Sequence, residues 1–160
     1  MRGTVVADPS LTAQQVAQWA ARGVRGIRLN VLHREDMPDF SALAACPAPL
    51  VFDHFGCPDP KQGVACPNVE SLLRLAERRV VYVKLSASYR LGRGDALQYA
   101  QFWLARLGAR GLLWGSDWPW TNHERATSYA DCVAALHRWV PESADRTKIL
   151  WDTPNGLFRF

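Results

Sequence analysis

DALQYAQFWLARLGARGLLWGSDWPW, residues 95–120, contains one full repeat of the pattern that decides the fold. Its first half predicts a helix opened by the Asp95 side chain and stopped by Gly108. Leu112, Leu113 and Trp114 then read as a short, wholly apolar strand, and Gly115-Ser116 lets the backbone turn where Asp117 emerges. An acid at the end of a buried strand is costly to keep unless it is paired or put to use.

The same alternation extends in both directions. Residues 3–8 predict a strand, and residues 9–23 a helix opened by Ser10 or Thr12 and closed by Gly23. A second strand covers 24–30, a short helix 36–46, and a third strand 49–56, ending in an acid, an imidazole and a glycine. Residues 68–79 form an amphipathic helix with Val69, Leu72, Leu73 and Ala76 on one face. The most β-rich stretch follows at 80–91. Residues 129–160 read as two or three helices, with Pro141 and Pro154 in first turns. Near-continuous apolar strands alternating with helices require parallel strands covered by helices, so the class is α/β. In such folds chemistry gathers at the carboxyl ends of the strands. Arg28, Asn30, Asp53, His54, Lys84, Ser86, Arg90, Ser116 and Asp117 all fall at or just past those ends.

Composition sets the outer limits. A chain of 160 residues, 48% hydrophobic, is long enough for one sizeable core and short for two domains. No stretch approaches the roughly 18 apolar residues of a membrane span, and the first residues lack the apolar region of a signal peptide, so the cytoplasm is the expected compartment. The net charge of +4 comes mostly from scattered arginines, without the basic run or aromatic-basic motif of a nucleic-acid binder. Cys46, Cys57, Cys66 and Cys132 form no CxxC pair, and the expectation is reduced, structural thiols.

The succession GVRGIRLN (23–30), VFDHFG (51–56), VYVKLSASYRL (81–91), GSDWPW (115–120) and ILWDTPNGLFRF (149–160) resembles the amidohydrolase superfamily, in the branch that includes the 2-pyrone-4,6-dicarboxylate lactonases. The resemblance implies a (β/α)8 barrel in which His54 and Asp117 face the reaction centre. It implies Asp117 as the base that activates water, His54 and Arg28 as groups that polarise the carbonyl, and Arg90 as the anchor of a substrate carboxylate. Asn122, in the loop after Asp117, joins Arg28 and Arg90 as a candidate substrate-binding residue. In metal-dependent relatives the same histidine and aspartate serve as ligands, which makes His54 and Asp117 the ligand candidates for a divalent ion such as zinc.

Three departures qualify the resemblance. The family's first strand carries an HxH pair, and this sequence has none. Five of eight barrel strands are expected here, because the chain enters the pattern at the third strand and a helix and strand are missing after Leu32. A full barrel takes about 250 residues. Cys57 stands where the lactonases carry an arginine, and Trp120 where they carry a histidine. The expected activity is hydrolysis of a small carboxylated lactone or a related C–O or C–N bond. Two other readings stand beside it: a chain of this descent without catalysis, stabilised by self-association, and a metal-dependent decarboxylase, which the absent HxH disfavours.

Overall fold

The computed structural model describes residues 2–7, 12–31, 48–92 and 94–160. Five strands, β1 (Gly3–Val6), β2 (Val24–Leu29), β3 (Leu50–Phe52), β4 (Val81–Leu85) and β5 (Leu112–Trp114), pair in chain order, and every pairing is parallel. Helices α1 (Ala13–Ala21), α2 (Pro67–Ala76), α3 (Ala96–Leu107) and α4 (Tyr129–Trp139) lie between or after the strands. A last helical run passes from α5 (Ser143–Thr147) through a π turn (Lys148–Asp152) into α6 (Thr153–Phe158). Parallel strands taken in order, with helices in the described crossovers β1–β2, β3–β4 and β4–β5, give part of a (β/α) barrel. The expected helix at 36–46 lies outside the described residues. Among the described residues, no helix is long and apolar enough to cross a membrane.

Local signals set the helix ends. Thr12 opens α1 with a capping box to Gln15. Asp95 caps α3 by accepting from the Leu97 and Gln98 amides, and Gly108 ends it at a φ of 65°. Pro67 occupies the first turn of α2 and Pro154 that of α6. Pro141 departs from expectation: it precedes Glu142, the residue that opens α5, so it sits in the connection and not in a first turn.

Alternation along the strands separates two faces. Ile27, Leu29, Leu50, Phe52, Val83, Leu85 and Leu112 point to the helices and join Val69, Leu72, Tyr99, Trp103, Leu136 and Trp139 in the main core. On the opposite face Val51 and Leu113 pack with Leu157 of α6, flanked by Tyr82 and Phe158. The sequence expected β3 and β4 to run on to residues 56 and 91, yet both stop early. The cause is the backbone: His54, Phe55 and Cys57 have φ of 47°, 57° and 50°, and Ala87 has 52°, which no strand accommodates.

The sharp turn after β3, His54–Gly56, is fixed from the helix side. Trp103 is fully buried, and its indole Nε1 donates to the Phe55 carbonyl at 2.8 Å. A Cβ on Gly56, where φ is 77°, would come within 3.3 Å of that indole and 3.1 Å of Leu72. Glycine is therefore required both by the backbone and by the close approach of α3.

Trp103→Phe keeps most of the ring and removes the donor, leaving the buried Phe55 carbonyl unsatisfied. The expected loss is about 1–3 kcal/mol in urea unfolding. Leu97→Ala, at an exposed site on the same helix, stays within about 0.5 kcal/mol.

Candidate functional site

Three loops, those that follow β3, β4 and β5, meet at the carboxyl ends of the strands. Each contains non-glycine residues in the left-handed region: His54, Phe55 and Cys57 in the first, Ala87 in the second, and Asp117, Trp120 and Asn122 in the third. Such residues cost about 1–3 kcal/mol each and persist where their surroundings fix them, which is common at active sites. His54 and Asp117 are both among them.

The structure brings His54, Asp117 and Arg90 together. His54 is buried, with Nδ1 3.0 Å from the Ser86 hydroxyl and Nε2 4.0 Å from Oδ1 of Asp117. Asp117 caps no helix. Its Oδ2 accepts from the Tyr89 hydroxyl at 2.8 Å and from Arg90 Nε at 3.0 Å. Arg90 also donates from Nη2 to the Thr121 carbonyl at 3.0 Å, which ties the loop after β4 to the loop after β5. His123 reaches this rim as well, its ring 4.9 Å from that of Tyr89.

Burial dominates the state of the imidazole. It pushes the His54 pKa down from 6.5 to about 4, against the opposing pull of Asp53 and Asp117. His54 is therefore neutral at neutral pH. Burial alone would raise the Asp117 carboxyl, but the hydrogen bonds from Tyr89 and Arg90 outweigh it and hold the group below its ordinary value. Burial and the bond to Asp117 push the Tyr89 phenol up, so it stays protonated and a donor. Burial also pushes the Cys57 thiol up to about 12, leaving it no thiolate character. Cys57, Cys66 and Cys132 are free thiols, and Cys46 lies outside the described residues.

Arg28 sits one step away. Its Nε pairs with Oδ2 of Asp53 at 2.5 Å, while Lys84 Nζ lies 2.6 Å from the other oxygen, Oδ1. Asp53 has no solvent exposure, so two cations share one buried carboxylate. Asn122 is exposed, its amide donating to Glu124, and no described contact joins it to His54 or Asp117. Of the three tryptophans near Asp117, Trp114 packs against the core, Trp118 faces solvent, and Trp120 donates to the Ser116 carbonyl at 2.8 Å. Tyr89 and Ser86 are the contacts that sequence reasoning did not assign. The polarity of Ser86 at a strand end was the available signal, and Tyr89 had none beyond its place beside Arg90.

Comparison with known proteins agrees with the fold. A family model for amidohydrolases matches residues 36–160. A 4-sulfomuconolactone hydrolase from Rhizobium radiobacter is 32% identical over 124 residues, 72% of this chain and 41% of that protein. The chain thus spans less than half the length of the curated relatives it matches. A "probable 2-pyrone-4,6-dicarboxylic acid hydrolase" from Acinetobacter baumannii, solved with citric acid bound, is similar at a TM-score of 0.77 and 26% identity, over 99% of this chain and 73% of that one. An amidohydrolase from Burkholderia multivorans with bound zinc gives a TM-score of 0.70 and 27% identity, over 92% and 57%.

The zinc in that neighbour raises the question of whether the described residues here suit such an ion. His54 Nε2 and Asp117 Oδ1 are two donors, and a catalytic zinc takes three protein ligands. The other atoms of these side chains face Ser86, Tyr89 and Arg90, and both oxygens of Asp53 are taken by cations. Among the described residues, no group of three histidine, cysteine, aspartate or glutamate side chains is placed to hold a metal. The described donor set does not fit a zinc centre.

The neutral imidazole has a measurable consequence. Between pH 6.5 and about 4 the unfolded chain binds a proton at His54 that the folded chain refuses, so stability falls as pH falls through that window. The full effect is about 3 kcal/mol, from the 1.36 kcal/mol of each pKa unit. Urea unfolding at a series of pH values shows this slope in the native chain and loses it in His54→Asn. The contribution of Asp117, whose pKa is depressed, persists through this window and is lost only at lower pH.

Proposed function

Because this chain belongs to the amidohydrolase family, we propose that its strand-end rim opens the cyclic ester of a small lactone bearing an anionic group, using water activated by Asp117. The observation that carries this reading is the facing of His54 Nε2 and Asp117 Oδ1 across 4.0 Å, between a neutral imidazole and an ionised carboxylate. Such a gap is too long for a direct hydrogen bond and leaves Oδ1 open to a water and Nε2 open to a carbonyl oxygen. The names of the relatives point the same way, since 4-sulfomuconolactone and 2-pyrone-4,6-dicarboxylic acid each pair a cyclic ester with an acidic substituent.

In this mechanism a water donates to Oδ1 of Asp117 while Tyr89 and Arg90 keep Oδ2 in place. As the water oxygen attacks the lactone carbonyl carbon, its proton passes to Asp117. With Ser86 as the donor to Nδ1 of His54, 3.0 Å away, Nε2 carries the ring hydrogen and hydrogen-bonds the carbonyl oxygen as negative charge builds there. The ring C–O bond then breaks, and Asp117 returns the proton to the departing oxygen, giving the hydroxy acid or its keto tautomer. Tyr89 and Arg90 make Asp117 a weak base but keep it ionised far below neutral pH. A weak base suffices where the leaving oxygen is a good one, as in an enol lactone.

Asp117→Asn is expected to lower kcat by about 10²–10⁴ on sulfonated or carboxylated lactones while the near-ultraviolet circular dichroism spectrum is retained. For the native chain, kcat/KM should stay level from neutral pH to about pH 5 and fall toward pH 4, where the His54 imidazolium pairs with Asp117 across the 4.0 Å gap and weakens the base. Turnover in Asp117→Asn within threefold of the native value would sink the general-base role. Failure of the native chain to open any lactone of such a panel would overturn the reading as a whole.

A further inference from the structure

Two side chains hold Oδ2 of Asp117, and they are secured differently. Arg90 is tied a second time, by its Nη2 bond to the Thr121 carbonyl. Tyr89 reaches the carboxylate with the hydroxyl of a half-buried ring, and such a ring keeps one rotamer only where something packs against it. Toward α4 that packing is thin. Tyr89 borders a cavity of about 100 Å³ that it shares with Trp114, Cys132 and Ala135, and empty space supplies no contacts. Arg90 lies over the ring with Cζ 5.3 Å from its centre, yet as the next residue in the chain it belongs to the same loop.

The contact from outside that loop comes from His123. Its ring centre is 4.9 Å from that of Tyr89, with the two planes inclined at 41°, a separation at which aromatic rings attract. The backbone places His123 there. The Trp120 amide donates to the Asp117 carbonyl at 2.9 Å and the His123 amide to the Trp120 carbonyl at 2.6 Å, two successive turns that fold the loop back on itself. Trp120 and Asn122 adopt φ of 59° and 66° within them, and the Ala126 amide closes a third turn on the His123 carbonyl at 2.9 Å. Among the described residues, no hydrogen bond or ion pair of Asp117 involves His123, so the two meet only by way of Tyr89.

We propose that His123 is a positioning residue: its ring seats the ring of Tyr89, and through it the hydroxyl that holds Oδ2 of Asp117. The loop after β5 thereby steadies its own carboxylate by way of the loop after β4. The seat is a property of the folded chain, and only its effect on turnover rests on the hydrolase reading.

Urea unfolding tests the seat without turnover. His123→Ala and Asp117→Asn, made singly and together, should show a coupling of about fivefold to tenfold in the unfolding equilibrium constant, although the two side chains do not touch. In a Tyr89→Phe background, which keeps the ring and removes the hydroxyl, the same pair should be additive within about twofold. Coupling that is absent from the native background, or that persists undiminished without the Tyr89 hydroxyl, would overturn the proposal. Kinetics give a second readout. His123→Ala should lower kcat on the lactone panel about tenfold and leave KM within about twofold, while His123→Phe, which restores a ring at that place, recovers most of the loss. A rise in KM with kcat unchanged, or a His123→Phe variant as slow as His123→Ala, would also overturn it. If the coupling is found and no lactone is opened, the seat stands and the hydrolase reading falls. If the native chain opens lactones and shows no coupling, the reverse holds.

Discussion

The buried carboxylate of Asp53 is the interaction on which the site depends. It stands directly after β3 with no access to water, and burial of such a charge is tolerable only because Arg28 from β2 and Lys84 from β4 meet its two oxygens. One acid thereby couples three adjacent strands at their carboxyl ends. The next residue, His54, inherits that fixed origin. Its left-handed backbone, the Trp103 bond to the Phe55 carbonyl and the Ser86 contact at Nδ1 then leave the imidazole a single direction in which to present Nε2.

A second constraint works from β4 and β5. Tyr89 and Arg90 follow the left-handed turn at Ala87, and Asp117 follows β5 with a φ of 60°. Among the described residues, one 3-10 turn, Ser88–Arg90, is all the regular structure that stiffens the first loop, and the second has none before α4. The bonds from Tyr89 and Arg90 to one carboxylate oxygen, and from Arg90 to the Thr121 carbonyl, supply that stiffness instead. Preorganised polar groups in a half-buried rim are worth more than the same groups in water, because little reorganisation is needed as charge develops.

Much of the fold was legible in the sequence, since local chemistry dictates it. The Thr12 and Asp95 caps, the stop at Gly108, the alternating polarity of β2 and the apolar residues of β4 and β5 are each specified within a few residues. The early ends of β3 and β4 were not legible, because Asp-His-Phe-Gly and Ser-Ala-Ser-Tyr carry no residue that by itself demands a left-handed backbone. The turn at His54–Gly56 is imposed by Trp103, 48 residues from Phe55. Of the site, His54 and Asp117 were legible as polar residues at strand ends. The pairing of Arg90 with Asp117, 27 residues apart, and the engagement of Lys84 by Asp53 were not, since they depend on how side chains meet across strands. A lysine among apolar neighbours signalled that a partner was needed and left open which acid it would be.

The Trp103 bond to the Phe55 carbonyl bears on how such a protein can change by mutation. The indole belongs to the packing layer of the main core, yet it sets the backbone that carries the imidazole. Repacking that layer for stability therefore shifts the aim of Nε2 as well, and a neighbour of Trp103 that alters its tilt by a few degrees acts on the His54–Asp117 pair from a distance. The loop after β5 has no such hook into the core from Trp118, which lies open to water. Substitution has its freest ground at Trp118, while the helix layer is bound to the backbone that carries the imidazole.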